Sequence, residues 1–395
     1  MPEITNFEHN GVSIIASEAP ASMGPLGGNV LGIVGTAPNK ADEIDFNVPY
    51  RINNMAGAAK LDTTGEELGT LYHAVHETLK KASVPIYVIV VPEGLEEASG
   101  EVTDAATMAN IIGGVDADSG LLEGISALPL CQEAPTVIAA PGFGHNKEVL
   151  SALATVAVRL RCRVVGATPD ANAQALVEFS ETLGGQGTGY NRVYLATPMC
   201  AIYSRAAQGN IFVPAESLAL GCLAAVKPWE SPGNQGVNVQ DVARHFDYNI
   251  LDKSTDGDLL NRYGISYFAH TDLGGFSLIG NRGVMGDFIS HVGLEDAICR
   301  KLAKSAQVAM AKNMTKSFME QEVRRVNQFV QQRVAEEVIP GGTVYLHPTL
   351  NTVEAYKNGS WYVVIDYGRY SPNEHMIFHL NAKDSIIEDF IAEVL

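Results

Sequence analysis

The run Ile86-Tyr87-Val88-Ile89-Val90-Val91 is apolar at every position. A strand with no polar alternation has to be covered on both faces, which places it inside a sheet sandwiched between layers. Other strand candidates lie at 30–35, 136–140, 163–166 and 192–196, with amphipathic helix patterns between them at 66–81, 147–161, 170–183 and 215–226. Strands alternating with helices in this way give α/β layers, so the fold class expected from residue 26 to 240 is α/β.

The rhythm breaks at 229–249. Ser231-Pro232-Gly233-Asn234-Gln235-Gly236 is turn chemistry with little periodic structure after it, so a domain junction is expected near 230–250. At 395 residues the chain is too long for one ordinary core. Beyond the junction, strands are expected at 265–270, 276–279, 343–347 and 361–367, with two helices over 294–337. This is an α+β domain at 241–375. The termini read as extended arms. Gly11-Val12-Ser13-Ile14-Ile15 alternates like a short strand and is set off by a Gly- and Pro-rich run at 19–29, giving an arm at 1–25. Residues 376–380 are an extended piece followed by a short acidic amphipathic tail, giving a second arm at 376–395.

The helical pair carries a charge that the rest of the chain lacks. Between Arg300 and Arg333 there are eight cations and only two carboxylates, in a chain of net charge -18. At about 100° per residue, Arg300, Lys301, Lys304 and Lys312 fall on one arc, and Ile298, Cys299, Leu302, Ala306, Ala309 and Met310 on the opposite one. One face therefore has a core to bury in, and the other meets water or an acidic partner. Ser317, with Glu320 three residues on, has the spacing of a capping box for the second helix.

The acidic balance argues against general nucleic-acid binding, which needs Lys and Arg against phosphates. No apolar run approaches the ~18 residues of a membrane span, and the polar N-terminus does not resemble a signal peptide. The expected location is cytoplasmic, or outside the cell after lysis. Cys131, Cys162, Cys200, Cys222 and Cys299 are far apart with no C-x-x-C pair, which reads as buried thiols rather than a disulfide framework or a zinc site.

Among possible reaction centres, Pro141-Gly142-Phe143-Gly144-His145 has the best context, after a strand and before a helix, where α/β folds bind phosphates. It lacks the third glycine of a dinucleotide fingerprint and the Lys-Ser/Thr of a P-loop. An α/β nucleotide- or metabolite-binding enzyme using this loop is the alternative reading. Gly184-Gly185-Gln186-Gly187-Thr188-Gly189 follows a helix C-terminus, the wrong polarity for an anion. His73 and His76, with Glu77, share a helix face without a third ligand at recognisable spacing, so a solvated face is expected. His375 and His379 would share a strand face with Ile377. Asp241, Asp247, Asp252, Asp256 and Asp258 lack calcium-loop spacing. No catalytic, metal or cofactor residues are assigned.

A set of short motifs, in order over nearly the whole chain, resembles the contractile tail sheath proteins of P2-like phages and the related R-type pyocins. The set begins with Asn10-Gly11-Val12-Ser13-Ile14, Ile33-Val34-Gly35 and Ala139-Ala140-Pro141-Gly142 ahead of Arg159-Leu160-Arg161. It continues with Ser231 to Val237, Asp258-Leu259-Leu260-Asn261 with Gly264-Ile265, Phe276 to Arg282, and Tyr362-Val363-Val364-Ile365-Asp366-Tyr367. Where the family has Pro-Pro after this last strand, the chain has Ser371-Pro372-Asn373.

The resemblance implies a structural subunit of a phage tail or tailocin, not an enzyme and without cofactors. Such subunits polymerise as stacked six-fold discs around an inner tube, then contract to drive the tube through a bacterial envelope. The α/β domain would be outer and the α+β domain inner and tube-facing, with Arg300, Lys301, Lys304 and Lys312 toward the tube. Gly11, Val12, Ser13, Ile14, Ile15, Met376, Ile377 and Phe378 would exchange strands between subunits. The implied partners are copies of the chain itself and the tube, baseplate and tail terminator proteins, with no nucleic acid and no membrane insertion.

Overall fold

The computed structural model describes residues 23–96, 101–183, 189–272 and 274–394. The chain divides into two compact units: Gly28–Ala297 with Ser371–Leu395, and Met1–Gly27 with Ile298–Tyr370.

The larger unit is built on a nine-stranded sheet. Its strands are β1 (Leu31–Thr36), β2 (Tyr50–Ile52), β3 (Ile86–Val91), β4 (Val137–Ala139), β5 (Arg163–Ala167), β6 (Val193–Thr197), β9 (Gln235–Val237), β11 (Ile265–His270) and β12 (Phe276–Ile279). They lie in the order β2-β3-β1-β4-β5-β6-β11-β12-β9. From β3 to β11 neighbours run parallel, while β2, β12 and β9 are antiparallel additions at the two edges. The all-apolar run is β3, and every one of its residues is buried. Ile86, Val88 and Val90 enter one core, and Ile89 and Val91 the other.

Helices α1 (Met55–Ala58), α2 (Leu71–Lys81) and α6 (Ala215–Ala225) contribute to the first core. Helices α3 (Asp104–Ile112), α4 (Lys147–Leu160) and α5 (Ala173–Leu183) contribute to the second. Helix α6 is buried from Ala215 to Ala224, as a helix apolar on all sides should be. A three-stranded antiparallel sheet of β7 (Cys200–Ser204), β8 (Gly209–Val213) and β10 (Asp241–Val242) adds Cys200, Ile202, Val213 and Val242 to the same core. Helix α7 (Asp256–Arg262) is capped by Thr255, whose side chain accepts from the Asp258 amide.

The division between units falls inside helix α8 (Ile289–Ala306), between Ala297 and Ile298, and not at the junction expected near 230–250. The turn-rich segment at that junction contains β9 and β10. The strands after it complete the large sheet, with Tyr267 of β11 opposite Thr197 of β6. A Gly/Pro cluster marks a change of direction, whereas a unit boundary depends on pairing between residues far apart in sequence.

The smaller unit holds the remainder of α8, then α9 (Lys316–Ala335), β13 (Gly342–Leu346), α10 (Val353–Lys357) and β14 (Val363–Tyr367). β13 and β14 form a two-stranded antiparallel sheet with Val344 opposite Ile365. Asn351 closes the base of their connection: its amide nitrogen donates to the carbonyls of His347 and Tyr362, and its oxygen accepts from the Tyr362 amide. The second helix is capped by Thr315, which accepts from the Phe318 amide at 3.3 Å, and not by Ser317.

The first of the two helices expected over 294–337 runs from Ile289 to Ala306. Turns follow through 307–311, and Ala311 takes a left-handed φ of 64°. Lys312 therefore lies beyond the helix that carries Arg300, Lys301 and Lys304. The turn contains no glycine or proline, so the apolar period ran through it undisturbed. The final helix, α11 (Asp384–Val394), follows an extended stretch and buries none of its residues. The expected strand at 11–15 and the Gly-rich residues 184–188 lie outside the described residues.

Candidate functional site

The strand-to-helix loop at 141–145 is filled from within. Gly142 has a φ of +86°, and a side chain on Gly144 would meet Glu216 Oε1 at 2.7 Å. Glu216, in the first turn of α6, is completely buried, and neither carboxylate oxygen makes a hydrogen bond of ordinary geometry. Burial raises its pKa to about 7, opposed by its own amide and those of Gly142 and Gly144. A carboxyl group thus takes the place where an α/β fold would seat a phosphate.

The histidine reading also changes. His73 and Glu77 are buried, not on a solvated face. His73 lies 3.9 Å from Glu67, and burial lowers its pKa despite the attraction of Glu67 and Glu77. His76 stacks on Tyr72. Among the described residues no group of three metal-binding side chains converges. Asp241 pairs with His245 at 3.0 Å, and Asp252 accepts from Ser254 in a local turn. None of the five cysteines forms a disulfide, and all but the half-buried Cys299 are buried.

The unfinished surfaces are on the small sheet and the C-terminal arm. Among the described residues neither β13 nor β14 has a second strand partner. In the arm, Met376, Ile377, Phe378 and Leu380 are exposed, Phe378 at 77% and Leu380 at 94%. His375 and His379 are exposed too, and no strand forms there within the chain itself. Burying four such side chains is worth about 1.5–3 kcal/mol each before ordering costs. The root of the arm is fixed within the larger unit: Arg282 donates to Glu374 from Nε and Nη2, and Asn281 Nδ2 donates to the other oxygen. Arg282 also lies over the Phe288 ring at 4.1 Å. The sequence reading missed this anchor because its partners are 92 residues apart.

The cations of the 300–333 stretch do not form one surface. Lys304 and Lys312 are exposed, whereas Arg300 and Lys301 are half-buried. Burial, with Lys304 and Arg333 nearby, lowers the pKa of Lys301. Arg333 is 2% exposed, donates to Glu336 at 2.7 Å and covers the Phe329 ring, so it serves the interior of its unit.

Comparison with known proteins agrees with this distribution of features. Over 362 residues, 88% of either chain, the sequence is 23% identical to a protein of Pseudomonas aeruginosa (strain UCBPP-PA14) described as a prophage major tail sheath protein. It is 25% identical over 296 residues to the tail sheath protein of Burkholderia phage BcepMu, spanning 69% of this chain and 61% of that one. The chain is thus similar to contractile tail sheath proteins over most of its length. Its fold is that of solved sheath subunits over nearly its full length. The sheath complex of the extracellular contractile injection system PVC, in the contracted state, matches with a TM-score of 0.67 at 14% identity, covering 97% of this chain and 99% of that one. The helical sheath of the anti-feeding prophage, also contracted, matches with a TM-score of 0.66 at 16% identity, covering 96% and 100%. No family model matches the chain. The comparisons support a structural subunit of a contractile sheath and do not support an enzyme working through the 141–145 loop.

Proposed function

We propose that the subunit polymerises by strand exchange. Gly11, Val12, Ser13, Ile14 and Ile15 of one copy and Met376, Ile377 and Phe378 of another add to the open sides of β13 and β14 in a third. One observation carries this reading: a single chain has both an exposed apolar arm and a sheet that, among the described residues, has only the two strands β13 and β14. Each supplies what the other lacks, since edge pairing contributes backbone hydrogen bonds and side-chain pockets contribute register. Such a contact joins different surfaces of identical subunits, so repeating it builds a ring or a helix.

In the assembled particle, subunits form stacked six-fold discs around an inner tube. The α/β part lies outside and the part carrying α8, α9, β13 and β14 lies toward the tube. Arg300, Lys301, Lys304 and Lys312 face the tube, with Lys304 and Lys312 the most accessible. Exposed ion pairs of about 0–1 kcal/mol each hold collectively and release readily. Contraction needs no cofactor and no catalysis, because an extended lattice assembled in a metastable arrangement relaxes to a better-packed one. Arms paired to neighbouring sheets keep subunits linked during that movement. Baseplate and terminator proteins bound the polymer, which assembles in the host cytoplasm as a phage tail or a headless tailocin.

Deleting residues 376–395 tests this reading. Residues 376–394 are exposed in their own chain, so the truncated protein should stay folded with an unchanged Tm. By negative-stain microscopy it should form no tubes or rings, where the full chain does. Polymers that persist after the deletion would refute the exchange.

A further inference from the structure

The N-terminal arm joins the smaller unit at the wall of an apolar groove. This groove, of about 480 Å³, runs between α8, α9 and the start of β14. Leu302, Met310, Met314, Phe318, Trp361 and Val363 line it, and Met23 forms part of the same wall. Met23 is 8% exposed, and the carbonyl of the next residue, Gly24, accepts from Arg333 Nη1 at 3.4 Å. The chain is therefore fixed beside the groove at Met23, with 22 residues before that point.

The lining selects an apolar occupant of low charge. Its ion pair is internal, since Arg325 donates to Glu322 at 2.5 Å, which leaves Lys312 as the other charged side chain. A carboxylate or ammonium inserted among the remaining residues would lose its hydration without a matching partner. The methionines are unbranched and polarisable and adapt to an inserted aliphatic side chain. Asn10-Gly11-Val12-Ser13-Ile14-Ile15-Ala16-Ser17 fits these requirements: it carries no charge, and at strand period Val12 and Ile14 share a face.

The segment is also long enough and close enough. Eight residues lead from Ile15 to Met23, a reach of at most about 27 Å at ~3.4 Å per residue. The α9 wall of the groove, from Phe318 to Val326, is about 12 Å long at ~1.5 Å per residue. A tether this short holds the segment at an effective concentration of about a millimolar, roughly a thousandfold above that of free subunits at ~1 µM. Before assembly, a chain's own segment thus outcompetes the same segment of another copy. In a polymer, neighbouring segments are held at comparable effective concentrations and that advantage disappears.

We infer that in the unassembled subunit residues 10–17 occupy the groove of their own chain, with Val12 and Ile14 inserted among its methionines and aromatic rings. This contact is autoinhibitory, because it withholds from exchange the residues that exchange requires. It rests on the strand-exchange reading for the later role of the segment, and adds a closed state that precedes it.

Disulfide trapping in the dilute, purified full chain, before tubes appear, tests the closed state. Ile14→Cys combined with Met310→Cys, or with Val326→Cys on α9, should give an intrachain cross-link after mild oxidation, seen as a faster-running monomer on a non-reducing gel. Each single variant should give none, which controls for the half-buried native Cys299. By negative-stain microscopy the cross-linked chain should form no tubes, and reduction of the bond should restore them. No cross-link from either pair would overturn the closed state. Cross-links between chains alone would overturn it too, and would give the groove to a neighbouring copy. Cross-linked chains that polymerise as fast as reduced ones would refute the autoinhibition. A separate pair, Ile14→Cys with Val364→Cys, trapped in the assembled polymer, reports strand exchange alone. A ladder of cross-linked chains there without the intrachain link would remove the closed state and leave exchange standing, and the intrachain link without a ladder would do the reverse.

Discussion

Arg282 donates two hydrogen bonds to one oxygen of Glu374, from Nε at 3.1 Å and from Nη2 at 2.8 Å. Toward the N-terminus of Glu374, Ser371 lies 3.5 Å from the His291 ring. Beyond Glu374 the described chain is exposed through to Val394. This pair therefore divides a fixed root from the exposed segment that follows it.

Replacing Arg282 with Ala should loosen that root without unfolding the protein. The pair is partly exposed, so the loss of stability should be about 1 kcal/mol or less. Amide hydrogen exchange at 371–376 should rise about fivefold, the equivalent of about 1 kcal/mol, with the core strands unchanged. Equal protection in variant and parent would show that the arm is held elsewhere.

Deep in the larger unit, Arg192 donates to Asp296 at 2.7 Å, with side chains 8% and 1% exposed, and ties the first part of α8 to the start of β6. Arg161, the left-handed C-cap of α4, approaches the same oxygen at 3.9 Å. Removing one member of a buried pair strands the other charge. Asp296→Ala should cost about 3–5 kcal/mol in denaturant unfolding. A cost below about 1 kcal/mol would show that the pair contributes little.

Glu216 predicts a pH effect of unusual sign. Its pKa rises from the ordinary 4.5 to about 7 in the folded chain, so between these values the folded state binds the extra proton. Stability then falls as pH rises from about 4.5 to 7, by on the order of 3 kcal/mol from this group alone. Glu216→Gln should remove that slope, matching the parent near pH 4.5 and exceeding its stability at pH 8. His73 contributes the opposite trend in both proteins, because its pKa is lowered by burial. The difference between the two denaturation profiles isolates Glu216, and parallel profiles would contradict the assignment.

How much of this was legible in advance depended on the range of the interaction. The all-apolar β3 announced a strand covered on both faces, and the parallel sheet and its flanking helices followed from local period alone. The unit boundary did not, because residues 265–279 join the large sheet through pairing with β6, which no local pattern records. The helix end at Ala306 was hidden because its turn is made by Ala311 in a left-handed conformation, without the glycine that usually signals one. Glu216 read as one acidic residue on an apolar helix, and only the fold sets it against Gly144. Arg282 and Glu374 lie too far apart in sequence to suggest each other. The motifs that resembled sheath proteins succeeded where residue chemistry was silent, since order along the chain carries information that no single site does.

The strand exchange at β13 and β14 is the central claim, and a cryo-EM map of the assembled polymer at side-chain resolution tests it most directly. The account predicts that each β13–β14 sheet is extended on its open sides by residues 11–15 of one neighbouring copy and 376–378 of another. A map in which β13 and β14 stay two-stranded, with both arms packed on their own subunits, would contradict it.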